Sequence, residues 1–120
     1  MAYWTLSGTL ENWKIGLAKG VWGVSEKAKG LWKKIQPGDK AVFYATKTGI
    51  LGYGTILEKY IDETPLWPQE KKQGKAIWPY RLKIKTEKPL ANPKPKPKNM
   101  LVAFAINKLP EELYKEIIAH

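Results

Sequence analysis

The chain has 120 residues, 43% of them hydrophobic and 27% charged, and twenty-one Lys and Arg against eleven Asp and Glu give a formal charge of +10. That length buries one core and makes one domain, residues 1–120. No cysteine occurs and the one histidine, His120, is the last residue, so disulfide, thiolate and zinc chemistry are excluded, and neither a metal nor a cofactor is expected.

"AYWTL" (Ala2–Leu6) is short and aromatic and predicts a first strand. In "ENWKIGLAKG", Trp13, Ile15 or Gly16, and Leu17 fall on one helical face and Gly20 supplies the stop. "SEKAKGLWKKI" predicts a second short helix, with Ser25 as N-cap and Gly30 interrupting it, and "QPGD" a turn. "KAVFYAT" and "ILGYGTILEKYI" predict paired strands around the "KTG" turn, with Gly52 and Gly54 marking a bend or bulge. Residues 62–75 are polar, carry Pro65, Pro68 and Gly74, and predict a loop with Trp67 alone in it. "AIWPYRLKIKTE" alternates apolar and basic residues as a strand does, with Pro79 calling for a bulge or edge near its start. "NPKPKPKN" has too few amide donors for a helix or central strand, so residues 92–98 predict a basic loop or linker. "MLVAFAI" predicts a last strand, and "LPEELYKEIIAH", with Pro110 at its start and acids in its first turn, a C-terminal helix over 109–119. The order suits an α+β fold: a small, strongly curved mixed β-barrel with flanking short helices.

No apolar run nears the roughly 20 residues that span a bilayer and no secretory signal opens the chain, so a soluble, cytoplasmic protein without a membrane partner is expected. High lysine content without cysteine leans toward a thermophile. Between Lys71 and Lys98 ten basic residues face one acid, Glu87, a one-sided field that suits a polyanion. Walker A, GxGxxG, HExxH and GxSxG patterns are absent, and without an internal histidine acid–base chemistry falls to scattered carboxylates and lysines. A binding module is the expectation.

Six tryptophans are many for this length. Trp13 and Trp32 sit on apolar helical faces and are expected in the core, with Trp4 and Trp78 more evenly balanced between core and surface. Trp22 in "VWGVS" and Trp67 in "TPLWPQEKKQGK" lie outside any periodic pattern, the signature of an indole that docks on its own protein or holds something else. Lys27 and Lys29 near the first, and Lys71, Lys72 and Lys75 near the second, add phosphate-binding potential.

"YWTL" followed by "ENWKIGLAKGVWGVSEKAKGLWKKIQPGDKAVFYATKTGILGYGTILEKY" resembles the EVE domain of the PUA-like superfamily and its sister YTH domain, over roughly residues 2–86 and without the tail. The YTH blocks "VWCS" and "VWSQDKWKG", which wall N6-methyladenine, correspond here to "VWGVS" and "LWPQEKKQG". The resemblance implies the curved barrel, with Trp22 and Trp67 as cage walls. The family's third aromatic falls at Lys72, so Trp4 or Trp78 is expected to substitute. Asn12 would read the base edge and Ser25 would be a second polar contact.

The implied function is a non-enzymatic module that recognises a flipped or unpaired modified nucleobase, N6-methyladenine foremost, with methylated DNA favoured and RNA as the other partner. Lys27, Lys29, Lys71, Lys72, Lys75 and Arg81 would grip phosphates. Such domains resemble the specificity portions of McrBC-type restriction enzymes, which implies fusion to, or derivation from, a larger protein. Three rivals stay open: RNA binding indifferent to modification, a cage for methyl-lysine, against which the positive charge speaks, and an enzyme acting on a base through Asp62 and Glu63.

Overall fold

The computed structural model describes residues 1–119. In chain order the elements are β1 (Tyr3–Gly8), α1 (Leu10–Lys19), β2 (Val21–Val24), a 3-10 turn (Glu26–Ala28) running into α2 (Lys29–Lys34), β3 (Lys40–Ala45), β4 (Gly49–Ile61), α3 (Pro68–Gln73), β5 (Tyr80–Lys94), β6 (Ile106–Lys108) and α4 (Glu111–Ile118). Thr9 caps α1 by accepting the Asn12 amide at 3.3 Å, and Gly20, at φ 68°, ends it.

The six strands form one sheet in the order β2-β5-β4-β3-β1-β6. β1 runs parallel to β3, and the other neighbours are antiparallel. The long β4–β5 ribbon loses register at Ile50/Gly52, Tyr53/Gly54 and Ile56/Glu58. Each unpaired residue bends the ribbon and increases its twist, so the sheet curls into a half-barrel, in line with the strongly curved mixed barrel expected from the sequence. The curl brings edge strand β2 back against the end of β1, where the Trp22 ring covers Gly8.

Two apolar clusters result. One fills the curl and includes Leu6, Trp13, Trp22, Phe43, Ile56, Trp67 and Leu82. The other lies under α4 and joins Val42, Ile50, Met100, Leu113, Tyr114 and Ile117. Trp13 and Trp32 are buried, as their helical faces predict.

Several boundaries differ from expectation. β2 and α3 occupy segments without a predicted element, and β6 holds only the end of "MLVAFAI". β5 continues into the proline segment as far as Lys94. β2 pairs only with Tyr80–Lys83, so beyond that point β5 is an edge strand, the setting in which a sheet tolerates prolines such as Pro89 and Pro93.

Candidate functional site

A cavity of about 150 Å³ opens in the seam between β2 and the end of β1. Its lining comes from Ser7 to Thr9, from Asn12 on α1, from Trp22, Gly23 and Ser25, from Trp67 and Trp78, and from Ala105 before β6. An apolar cavity of similar size admits a benzene ring in another protein, so one flat aromatic ring is the natural scale of a ligand here.

Three indoles shape it. Trp22 lies flat on Trp13, with ring centroids 3.7 Å apart and planes 4° from parallel. Trp67 meets Trp22 edge to face at 5.8 Å and 79°, and meets Trp78 at 5.7 Å and 87°. Trp22 and Trp67 therefore are adjoining walls of a corner and not parallel plates, and Trp78 stands at a second corner with Trp67. Glycines make these approaches possible. A Cβ on Gly8 would overlap Trp22 Cζ2 and Cη2, and one on Gly23 would lie 3.0 Å from Trp78 Cβ and 3.1 Å from Trp67 Cζ3.

The polypeptide around Trp67 and Trp78 is fixed by a charged pair, of which the sequence reading singled out only Arg81, and that for a phosphate. Glu70 is fully buried, and its carboxylate accepts the amides of Leu66 (2.8 Å), Trp67 (3.2 Å), Ile77 (2.8 Å) and Trp78 (3.0 Å). Burial alone would push the Glu70 carboxyl up; the four amide donors reverse this and hold it below its ordinary value. Arg81 completes the arrangement, with Nη2 3.3 Å from Glu70 Oε1, Nε donating to the Trp78 carbonyl at 3.1 Å, and Cζ 5.3 Å from the Trp67 ring centroid. One ion pair thus grips both indole-bearing segments.

Among the described residues, four buried side-chain polar atoms have no hydrogen-bond partner, and three of them belong to cavity residues: Ser7 Oγ, Asn12 Oδ1 and Trp22 Nε1. The indole N–H of Trp13 donates to the Tyr44 carbonyl at 2.9 Å and that of Trp67 to the Asn12 carbonyl at 3.0 Å. Trp22 is held by packing alone and its donor is unspent. An unpaired buried polar group costs about 1–3 kcal/mol, so three in residues around one cavity concentrate unmet hydrogen-bonding capacity there.

The predicted site residues divide accordingly. Trp22, Trp67, Trp78, Asn12 and Ser25 are brought together around the cavity, and Ser25 makes no cap hydrogen bond to the turn that follows it. Trp4 is not part of this group; it is buried in β1, with Nε1 donating to Asp39 at 2.9 Å. Arg81 needs a second correction, because at 3% exposure and committed to Glu70, Asp62 and two carbonyls it has no surface to offer a phosphate. Lys71, Lys72 and Lys75 are exposed on and just after α3. Lys29 is half-buried over the Tyr80 ring, and Lys27 is exposed beside Ser25. Ser7, Gly8 and Thr9 were not predicted, since a polar strand end carries no mark of the seam it will line. Among the described residues, no cluster of three His, Cys, Asp or Glu side chains suits a metal, and no helix is long and apolar enough to cross a membrane.

Curled sheet and cavity together define a small α+β domain of PUA-like type with a cluster of buried aromatics at its seam. The chain belongs to the EVE domain family, whose model matches residues 2–118 and so includes the tail that the sequence likeness had left out. It is 34% identical to the UPF0310 protein PH1033 of Pyrococcus horikoshii, over 98% of this chain and 97% of that one. Its fold is similar to that of Rpa0253 from Rhodopseudomonas palustris, with a TM-score of 0.65 at 22% identity over 99% of this chain and 92% of that one. It is also similar to the Pho92 YTH domain in complex with m6A, with a TM-score of 0.61 at 16% identity over 98% and 81%.

Proposed function

We propose that this chain is a non-enzymatic reader that takes one flipped or unpaired modified nucleobase of DNA or RNA, N6-methyladenine foremost, into the seam cavity. The observation that carries the reading is the coincidence of three indoles with three unpartnered buried polar atoms around a space of about 150 Å³. The fold-level likeness to a YTH domain in complex with m6A supports it. A base in a duplex hides both faces, so the reader must receive it unstacked, and indole contacts replace the lost stacking at about 1–3 kcal/mol per base. Asn12 supplies an unspent acceptor among the cavity residues, which suits the remaining exocyclic N–H of the base. The added methyl contributes through apolar contact, roughly 1–3 kcal/mol or about 10- to 200-fold. N6-methyladenine is uncharged, so dispersion and stacking hold it. Methylated DNA is the favoured target, and a place in a larger restriction-type protein follows if that preference holds.

The test is fluorescence polarisation at fixed physiological salt, using matched single-stranded and duplex oligonucleotides, DNA and RNA, with adenine, N6-methyladenine, cytosine or 5-methylcytosine. A gain of about tenfold or more on one methylated base, lost in Trp22→Ala, is expected. Equal binding to all strands, collapsing with salt, would establish an electrostatic RNA or DNA binder instead.

A further inference from the structure

A second groove, of about 380 Å³, adjoins the cavity and shares Ser25 and Ala105 with it. Its other lining residues are Lys27, Ala28, Leu31 and Phe104. Phe104 is 68% exposed, although covering a phenylalanine side chain is worth about 1.5–3 kcal/mol. Its support is firm: the Asn107 side-chain amide donates to the Phe104 carbonyl at 2.6 Å, and the Ser7 amide donates to the Ala105 carbonyl at 2.9 Å. The phenyl ring is therefore presented from an anchored turn. In the same lining Lys27 is exposed, while the neighbouring acid Glu26 is engaged by the Tyr80 hydroxyl and lies 3.9 Å from Lys29.

The geometry points to a flanking-nucleotide subsite: the base next to the caged one in a single strand stacks on Phe104 while its phosphate meets Lys27. Two observations select this occupant. The groove adjoins the cavity and shares Ser25 and Ala105 with it, which puts it within reach of the nucleotide next to a caged base. An aromatic face beside a lysine is complementary to a base beside a phosphate, on a chain of net charge +10. The inference rests on the base-reading function proposed above. It adds that the protein reads a strand with polarity, because only one neighbour, 5′ or 3′, reaches the phenyl ring.

The probes are single-stranded DNA and RNA heptanucleotides with a central N6-methyladenine between adenines, the same strands with an abasic site on the 5′ or the 3′ side of the centre or at the centre itself, and the free nucleoside N6-methyladenosine. Phe104→Ala, which removes an exposed ring and touches no core, is expected to weaken the intact strand by about 5- to 150-fold and leave the nucleoside unaffected. Phe104→Tyr restores the parent affinity. An abasic site on one particular side abolishes the difference between parent and Phe104→Ala, and the other side does not. Lys27→Ala lowers the salt slope by about 0.7. Loss of nucleoside binding in Phe104→Ala, an unchanged strand affinity, or equal sensitivity on both sides overturns the subsite while the cage stands. A strand with an abasic centre that binds as tightly as the methylated one overturns the cage, and the subsite with it.

Discussion

At the scale of single residues, the site depends on side chains that would never touch a base. Glu70 accepts four amides from two segments, and Arg81 pairs with it while holding the Trp78 carbonyl. Glu70→Gln keeps the shape, removes the charge opposite a buried guanidinium, and turns an NH₂ toward amides that need an acceptor. Breaking a buried pair from one side costs roughly 3–5 kcal/mol, so the expected result is a fall in unfolding free energy of that order in urea denaturation. Oligonucleotide affinity is expected to fall as well, since both indole-bearing segments lose their common anchor. A stability within about 0.5 kcal/mol of the parent would mean that the segments hold themselves. Little of this was legible in the sequence. "WPQE" does place proline and glutamate at the first and third helical positions, the one local sign that Glu70 reaches back to the Trp67 amide. Its contacts with Ile77, Trp78 and Arg81 span seven to eleven residues, where no periodicity reports them.

At the scale of elements, legibility follows local signals. The β3–β4 hairpin was readable because two apolar runs flank a turn in which Lys47 takes φ 63°, and α1 and α4 because their stops and starts are marked by Gly20 and Pro110. β2 was not, because all four residues of "VWGV" are buried and show no alternation. Phe104 was absorbed into a predicted strand that forms only at Ile106–Lys108, which hid an exposed aromatic beside the cavity. The cavity itself joins β1, α1, β2, the α3 segment and the turn before β6, a juxtaposition that only the curl creates. α4 belongs to the other cluster, where Leu113 is 3% exposed against Val42, Ile50 and Met100. Leu113→Ala is therefore expected to cost about 2–5 kcal/mol in thermal or urea unfolding while leaving the affinity of the folded protein for a methylated strand unchanged. A parallel loss of affinity below the melting transition would show that the two clusters are coupled.

At the scale of the whole molecule, stability against pH tests how the buried charges are arranged, because the groups that move are spread over both clusters. Glu70 and Asp39 are held below their ordinary values of 4.5 and 3.8; in Asp39, too, burial would push the carboxyl up and the hydrogen bonds from Ala2, Gln36 and Trp4 outweigh it. A carboxyl depressed in the folded state contributes stability above its unfolded value and loses it as pH falls through the folded one, so the acid limb begins below about pH 4.5 and deepens downward. Tyr114 works in the opposite direction. Burial between α4 and the sheet pushes its phenol from 10.0 up to about 12, with Glu87 adding to the rise. The folded state keeps a proton that the unfolded chain surrenders, so stability is complete below pH 10 and declines as pH rises toward 12, by at most about 2–3 kcal/mol. Many lysines titrate in the same range, and the comparison that isolates the phenol is Tyr114→Phe, which keeps a ring against Tyr3 at the observed centroid distance of 4.8 Å and has nothing to ionise. Urea unfolding free energies at pH 8, 10, 11 and 12 should run parallel for parent and variant up to about pH 10 and then diverge, the variant falling less steeply. Curves that stay parallel through pH 12 would mean that the phenol reaches water freely and that α4 lifts from the sheet well before the protein unfolds.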